Sequence, residues 1–179
     1  MSNKWRLLVL RGIPGIDTQI IFHAIAQAMT EDPEIPNTLV ICWPESALVS
    51  CGYHQVIEEE VNLEYCQQVK IPVVRRILGG GAVYLDDGQL FYQFMTYSGT
   101  DQIPLQVGSY YEFLLKPVVQ TYRELGVEAR YAPVNDIVTL NQQKISGNGA
   151  GVIEKVQILT GNIIFEFDFE KMARILKVP

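Results

Sequence analysis

Three glycines stand between an arginine pair and an apolar run in residues 74–84. Glycine lets the backbone approach a ligand closely and adopt positive φ, which leaves main-chain N–H groups free to face an anion. Arg75 and Arg76 add rigid forks of donors that match carboxylate or phosphate oxygens in pairs and keep their charge at physiological pH. The segment therefore predicts a binding edge for a phosphate- or carboxylate-bearing ligand. A flexible turn is the plain alternative.

This glycine run does not follow the standard nucleotide fingerprints. It lacks the G-x-x-x-x-G-K-[ST] pattern of a P-loop and does not open a helix as G-x-G-x-x-G does. Residues 82–84 and 90–97 are rich in aromatic and β-branched side chains, and Asp86-Asp87-Gly88 between them is a tight-turn signal. A β-hairpin is therefore predicted after the glycines.

A second unusual stretch places Lys144 at the entrance to the glycine-rich residues 145–151, shortly after Asn135-Asp136. A lysine that enters a glycine-rich turn fills a core poorly, so a functional lysine is one interpretation. The other is a polar hairpin tip at residues 141–144.

Composition limits the class of protein. The chain has 179 residues, of which 48% are hydrophobic and 19% charged, as expected for one globular domain with a substantial core. The net charge of −6 argues against a broad grip on nucleic acid but leaves room for a small cationic pocket. No window approaches the roughly 20 apolar residues of a membrane helix, and the start lacks a secretory signal. A cytoplasmic protein without membrane or nucleic-acid partners is predicted.

The cysteines and histidines do not indicate a metal site. Cys42, Cys51 and Cys66 are odd in number and show no C-x-x-C spacing, which fits reduced thiols that pack as small hydrophobes in or near the core. His23 and His54 are expected at the surface.

The apolar patterns predict short strands interrupted by a few helices. Strands are expected at residues 5–10, 38–43, 47–51, around 73, around 82, 90–97, 137–140, 144–146, 156–159 and 163–167. Helices are expected at residues 18–29, just after the acidic run 58–60, at 109–125 and at 169–176. The core-facing positions of the first helix are Ile20, Ile21, Ala24, Ile25 and Ala28, and those of the third are Phe113, Leu114, Val118 and Leu125. These patterns predict an α+β fold with a mixed, largely antiparallel sheet covered by helices.

Taken together, the two glycine segments resemble those of the catalytic domain of lipoate-protein ligases, within the wider biotin and lipoate ligase group. The matching residues are Arg75-Arg76, Gly79 to Tyr84, Asp86, Gly88, Asn135-Asp136-Ile137 and Lys144 to Gly147. The resemblance runs more weakly over residues 1–179. It implies a single catalytic domain with the architecture of biotin ligases and class II aminoacyl-tRNA synthetases, without the small C-terminal domain of larger members.

The resemblance also implies a reaction. Lipoate and ATP give lipoyl-AMP, and a lysine of a lipoyl-carrier domain then takes the acyl group. Mg²⁺ accompanies ATP, no protein metal site is expected, and split ligases suggest a separate accessory subunit. Lys144 is the catalytic residue by this match, bridging the acid carboxylate and the AMP phosphate. The residues that contact ATP or lipoyl-AMP are Arg76, Gly79, Gly80, Gly81, Ala82, Val83, Tyr84, Asn135, Asp136 and Lys144.

The match has departures that keep other functions open. Leu85 and Thr160 stand where these ligases usually carry histidines, and Asn148-Gly149 replaces a more usual Ser-Ala pair. The alternatives are an octanoyl or lipoyl transferase that acts from acyl carrier protein through a cysteine thioester, a biotin ligase, and a ligand- or carrier-binding homologue without turnover.

Overall fold

The computed structural model describes residues 4–97 and 103–177. The prediction that the start of the chain lacks a secretory signal concerns in part Met1 to Asn3, which lie outside the described residues. The strands are β1 (Trp5–Ile13), β2 (Asn37–Pro44), β3 (Leu48–Cys51), β4 (Val73–Arg75), β5 (Val83–Leu85), β6 (Gln89–Tyr97), β7 (Ala129–Ala132), β8 (Asp136–Thr139), β9 (Lys144–Ile153) and β10 (Val156–Ile164). The helices are α1 (Asp17–Glu31), α2 (Ile57–Glu60), α3 (Leu63–Gln68), α4 (Val107–Glu124) and α5 (Phe169–Ile175).

Seven strands form one large sheet in the order β1-β2-β6-β10-β9-β8-β7. The β1–β2 pair is parallel, and the other neighbours are antiparallel. This arrangement confirms the predicted α+β class with a mixed, largely antiparallel sheet.

Helix α1 packs on one face of the large sheet, and only some of the predicted side chains take part: Ile21 and Ile25 are half-buried against the core there. Its buried residues are Thr18, Phe22, Ala26 and Met29, whereas Ile20 is 54% exposed. The predicted stripe is therefore confirmed at Ile21 and Ile25 and wrong at Ile20 and Ala24, which are exposed. Polar Thr18 belongs to the buried face because its hydroxyl bonds to the carbonyl of Gly15 at 2.6 Å.

Helix α4 covers the opposite face of the sheet. Leu114 and Val118 are buried there as predicted, together with tyrosines of the same helix. Phe113 and Leu125 are exposed instead, so those two positions of the predicted core were wrong.

Three short strands form a second sheet in the order β4-β3-β5, and the glycine run lies between β4 and β5. One side of this sheet packs with α2, α3 and α5 around Val49, Cys51, Val61 and Tyr84. The predicted hairpin across the Asp86 turn is wrong, because β5 pairs with β3 in the small sheet whereas β6 pairs with β2 and β10 in the large one. The turn therefore carries the chain from one sheet to the other.

The glycine-rich segment after Lys144 is a strand, not a turn. Strand β9 continues to Ile153, and the two predicted late strands form one continuous β10. Glycines suit this region because neighbouring groups occupy the space of a Cβ: a Cβ on Gly151 would lie 2.6 Å from Leu78, and one on Gly161 would lie 2.5 Å from the hydroxyl of Tyr92.

Among residues 4–97 and 103–177, no helix has the length and apolar character needed to cross a membrane.

Candidate functional site

The glycine loop, residues 76–82, is held in shape by the arginine at its start. One guanidinium nitrogen of Arg76, Nη1, donates to the carbonyl of Ser50 at 2.8 Å, and the other, Nη2, donates to the carbonyls of Gly79 and Gly81, both at 2.8 Å. The Arg76 main-chain N–H donates to the carbonyl of Cys51. Burial lowers the pKa of the Arg76 guanidinium. The predicted ligand-binding arginine thus forms the inner frame of the loop.

Two glycines are required by the path of this loop. Gly80 has φ +96°, a backbone conformation that strains residues with a Cβ. A Cβ on Gly52 would lie 1.9 Å from the carbonyl oxygen of Gly80, so the end of β3 and the loop touch through their main chains. At Gly79 and Gly81 a Cβ would meet no atom within 4 Å, and both are exposed. The loop therefore presents an open backbone edge.

The first arginine of the pair has a different task. Nη1 of Arg75 donates to the carbonyls of Gly52, Tyr53 and Gln55 at 3.1, 2.9 and 2.7 Å. Arg75 therefore ties the segment after β3 to the small sheet.

Strand alternation divides the residues after the glycines between two environments. Val83 lies opposite Ser50, and Leu85 lies opposite Leu48, on the face of the small sheet that meets the large sheet. Ala82 and Tyr84 face the other way, toward α5, where the Tyr84 ring packs against Phe167 and burial raises the pKa of its phenol to about 12.

Leu85 and Thr160, which stand where histidines were expected, both lie on strand faces that border the space between the two sheets. Leu85 is buried in the apolar cluster beneath the small sheet. Thr160 lies on β10 two residues from Ile158 of that same cluster, opposite Gln93 and Gly149, and it is half-buried although its strand is central. Neither histidine is therefore replaced by a group that could titrate near neutral pH.

Lys144 begins β9 and is held by an acid on the neighbouring strand. Its ammonium lies 2.7 Å from Oδ1 of Asp136, and 56% of the lysine side chain is exposed. A Cβ on Gly147 would lie 3.4 Å from Cε of Lys144, so the lysine stem runs along a residue without a side chain. The ammonium therefore stays accessible at a fixed place.

Asn135 helps to fix the strand that carries Lys144. Its side chain donates to the carbonyl of Asn148, and the amide of Asn148 donates to the carbonyl of Asn135 at 2.8 Å. The hydroxyl of Tyr92 donates to Oδ1 of Asn148 and lies 3.0 Å from the hydroxyl of Ser146. Burial raises the pKa of Tyr92, so this phenol stays neutral.

A chain of hydrogen bonds joins the Lys144 segment to the strand that follows the glycine loop. The main-chain N–H of Gly147 donates to Asn162, Asn162 donates to Gln89, and Gln89 donates to Asp86 and to the carbonyl of Tyr84. The structure thus joins the two predicted motifs through three hydrogen-bonding steps.

Sequence reasoning missed the residues of this link. Gln89 and Asn162 lie just outside the strands predicted at residues 90–97 and 163–167, and the two residues are 73 positions apart in the chain. A signal was available, because buried amide side chains must find hydrogen-bond partners.

One cavity of about 530 Å³ lies on the α5 side of β5. Tyr84 lines it, but Lys144 and the three loop glycines do not. Its other lining residues are Ala47, Asp86, Asp87, Gly88, Glu166, Phe167, Asp168 and Lys171.

The cysteines and histidines lie where the sequence predicted. Cys42, Cys51 and Cys66 are 0%, 0% and 2% exposed, and burial raises the pKa of each thiol, to about 12 for Cys42. His23 and His54 are exposed. Among the described residues, no group of three or more His, Cys, Asp or Glu side chains is placed to hold a metal ion.

Comparison with known proteins decides the family. The profile of the lipoyl protein ligase A/B catalytic domain matches residues 21–179. The chain belongs to this family. The resemblance read from the two glycine segments is thereby confirmed.

Relatives in the family include both ligases and transferases. The octanoyltransferase LipM of Clostridioides difficile (strain 630) is 27% identical, in an alignment that covers 98% of the chain and 70% of LipM. Three curated lipoate-protein ligases are 31–37% identical, and the chain spans only 37–52% of their lengths.

Solved structures of family members share the fold. A bi-partite lipoate protein ligase from Thermoplasma acidophilum, studied with its E2 lipoyl domain, superposes with a TM-score of 0.84 at 28% identity, covering 99% of this chain and 68% of that one. A lipoate-protein ligase A bound with ATP superposes with a TM-score of 0.82 at 27% identity, covering 98% and 72%. The chain is therefore a lipoyl ligase or transferase by family.

Proposed function

We propose that this chain is an ATP-dependent lipoate-protein ligase, which converts lipoate to lipoyl-AMP and transfers the lipoyl group to a lysine of a carrier domain. The burial of all three cysteines carries the choice between the two activities of the family. A transferase that works through a thioester needs an accessible thiol of lowered pKa, whereas each thiol here is buried with a raised pKa.

In the first step, a carboxylate oxygen of lipoate attacks the α-phosphorus of ATP, and the bond to pyrophosphate breaks. A free carboxylate is a poor electrophile, so this mixed anhydride is what makes acyl transfer feasible. The exposed main chain of Gly79, Gly80 and Gly81, followed by Ala82, Val83 and Tyr84, forms the proposed nucleotide edge, and the Arg76 frame preorganises it.

Lys144 is the proposed catalytic cation of this step. An ammonium offers three donors on a compact charge, which suits oxygens of two groups that converge as the anhydride forms. Asp136 holds the ammonium at 2.7 Å before substrate arrives, and the carboxylate and phosphate then compete for it. Asn135 serves by fixing β9 through Asn148.

In the second step, the neutral amine of the carrier lysine attacks the acyl carbon, AMP leaves, and the amine loses a proton as the amide forms. The Lys144 ammonium stabilises the charge that returns to the AMP phosphate.

Mg²⁺ fits this site as a companion of ATP. Mg²⁺ in nucleotide sites is bound largely by substrate phosphates and water, so it does not require a cage of protein ligands. Its charge would offset that of the departing pyrophosphate.

We further propose that residues 1–179 act as one catalytic domain, in the cytoplasm, with a lipoyl-carrier domain and a separate accessory chain as partners. The likeness to the bi-partite ligase of Thermoplasma acidophilum supports such an arrangement. Full two-step activity of the isolated chain would count against an accessory chain.

The transferase stays the second candidate because LipM matches almost the whole chain. One experiment separates the two. The ligase predicts ATP–pyrophosphate exchange that requires lipoate and persists when Cys42, Cys51 and Cys66 are replaced one at a time by alanine. The transferase predicts octanoyl transfer from acyl carrier protein without ATP, which one of these replacements abolishes. The second pattern would refute the ligase proposal, as would exchange that biotin supports and lipoate does not.

A further inference from the structure

Strand β9 separates from β10 next to Lys144. The ladder between the two strands pairs Asn148 with Gly161 and ends there, whereas β10 continues to pair with β6 through Asn162 and beyond. Beyond this point the N–H of Gly147 donates to the side-chain oxygen Oδ1 of Asn162 at 3.2 Å. The Asn162 side chain thus replaces the main-chain hydrogen bonds between β9 and β10 at the point where the two strands separate.

Asn162 is itself held from the other side of the site. Its Nδ2 donates to Oε1 of Gln89 at 2.6 Å, and Nε2 of Gln89 donates to Oδ1 of Asp86 at 3.0 Å and toward the carbonyl of Tyr84 at 3.4 Å. Gln89 is fully buried, and both ends of its amide are used. Oδ1 of Asp86 also accepts from the N–H of Gly88 in the turn after β5.

Gly147 is the residue against which Lys144 lies. The lysine Cε is 3.4 Å from the position of a Cβ on Gly147, and Gly147 is the register partner of Asp136, which binds the lysine ammonium. A shift of Gly147 would therefore move both the backbone against which the Lys144 side chain packs and the paired strand β8, which carries Asp136.

We propose that Gln89 and Asn162 are positioning residues that set Lys144 at a fixed distance from the strand after the glycine loop. They touch neither substrate. They act through Gly147, and this role deepens the ligase function proposed above and rests on it. Because misplacement of a reacting group by about 1 Å can cost on the order of 10²-fold in rate, loss of the link predicts a fall in the rate of adenylation out of proportion to any loss of stability.

Gln89→Glu tests the link through its pH dependence. The introduced carboxyl group is buried beside Asp86, so its pKa is raised. Its protonated form can donate to Oδ1 of Asp86 as the amide does, but its ionised form cannot. At high pH the variant's kcat for lipoate-dependent exchange should be about 10²-fold lower than that of the wild type. As the pH falls, the ratio of the two kcat values should rise toward one. A ratio that does not change with pH would overturn the proposal.

Gln157→Glu is the matched control. Gln157 is also buried, two residues from Leu159 of the cluster on the α4 face of β10, and it pairs with Val152, near the end of β9 opposite to Lys144. Both variants introduce an acid into a buried glutamine position and should lose thermal stability. Only Gln89→Glu should show the pH-dependent kcat ratio at a temperature where both proteins are fully folded, and the same ratio in Gln157→Glu would also overturn the proposal.

A second readout does not depend on activity. Asn162→Ala should loosen Gly147 and the Lys144–Asp136 ion pair. Acetic anhydride should then acetylate Lys144 about two- to five-fold faster relative to exposed Lys155, the factor that a partly exposed ion pair is worth. An unchanged ratio by peptide mass spectrometry would contradict the positioning role. Absence of lipoate-dependent exchange in the wild type would instead refute the ligase function and leave this readout intact.

Discussion

The arginine pair offers a prediction in which two neighbouring residues serve as each other's control. Arg76 uses both arms of its guanidinium, with Nη1 on Ser50 and Nη2 on Gly79 and Gly81. Arg75 uses Nη1 alone to reach three carbonyls. A lysine ammonium is a single point with three donors, so it can replace one arm but cannot span two. Arg76→Lys should therefore disturb the glycine loop, and Arg75→Lys should be tolerated.

The magnitude follows from the bonds that are lost. If the ammonium stays with Ser50, the two bonds to Gly79 and Gly81 disappear, each worth about 1.5 kcal/mol as a hydrogen bond from a charged group. About 3 kcal/mol corresponds to roughly 10²-fold in the equilibrium between the ordered and the displaced loop. The KM for ATP in lipoate-dependent exchange should rise by up to that factor.

The assay compares both variants with the wild type for KM of ATP, KM of lipoate and thermal unfolding. The loop glycines are exposed, so the melting temperature should change little while the KM for ATP rises in Arg76→Lys alone. Equal KM values for ATP in the two variants would refute the framing role of Arg76.

Three further predictions follow from single contacts. Lys144→Ala should lower lipoyl-AMP formation by on the order of 10²-fold or more. The melting temperature should fall only modestly, because 56% of the Lys144 side chain is exposed, although the buried Oδ1 of Asp136 loses its ammonium partner. Adenylation near the wild-type rate would remove the catalytic role of Lys144. Gly52→Ala should displace the loop, because the new Cβ would lie 1.9 Å from the Gly80 carbonyl oxygen. The free energy of unfolding in urea should fall by about 1–3 kcal/mol, and the affinity for ATP should fall as well. Wild-type values for both quantities would contradict the close approach. Burial raises the pKa of Asp86, so the folded state disfavours its charged form. Asp86→Asn should therefore raise the melting temperature at neutral pH, and this gain should vanish as the pH falls and the wild-type carboxyl becomes protonated. A gain that persists in acid would contradict this reasoning.

The fold class could be predicted because it follows from local patterns. Short apolar runs with turn residues between them indicate strands in any sheet, and the late helix was placed within one residue of its observed end. Which strands pair was less accessible. The run after the glycines and the strand after Asp86 were assigned to one hairpin, yet they separate into two sheets because β5 finds its partner in β3, far back in the chain.

Helix α1 shows why the core face was misjudged. Of the predicted isoleucines, Ile21 and Ile25 lie half-buried at the edge of the core, whereas Ile20 is exposed. The fully buried positions are Thr18, Phe22, Ala26 and Met29. The start of the helix decides this, since the Thr18 hydroxyl bonds to Gly15 and its carbonyl accepts from buried Gln93. The bond between Gln93 and Thr18 joins residues 75 positions apart, so the periodicity of the helix sequence does not indicate it.

The predicted site residues divide in the same way. Lys144 and the loop glycines could be singled out from the sequence because their types are unusual for a core, and their role in binding stays a prediction. Gln89 and Asn162 were not, because each resembles an ordinary strand residue until its partner is known. The sequence did not indicate that Arg76 also frames its own loop through the carbonyls of Gly79 and Gly81, and its contact with a nucleotide stays a prediction.

The central claim is that Lys144 and the glycine loop meet around one acyl-adenylate. A crystal structure of the chain with a non-hydrolysable lipoyl-AMP analogue tests this most directly. We predict that the Lys144 ammonium has left Asp136 to lie within hydrogen-bonding distance of the phosphate, with the main chain of residues 79–81 along the nucleotide. An analogue bound instead in the 530 Å³ cavity between Tyr84 and Lys171, with Lys144 still paired to Asp136, would contradict the account.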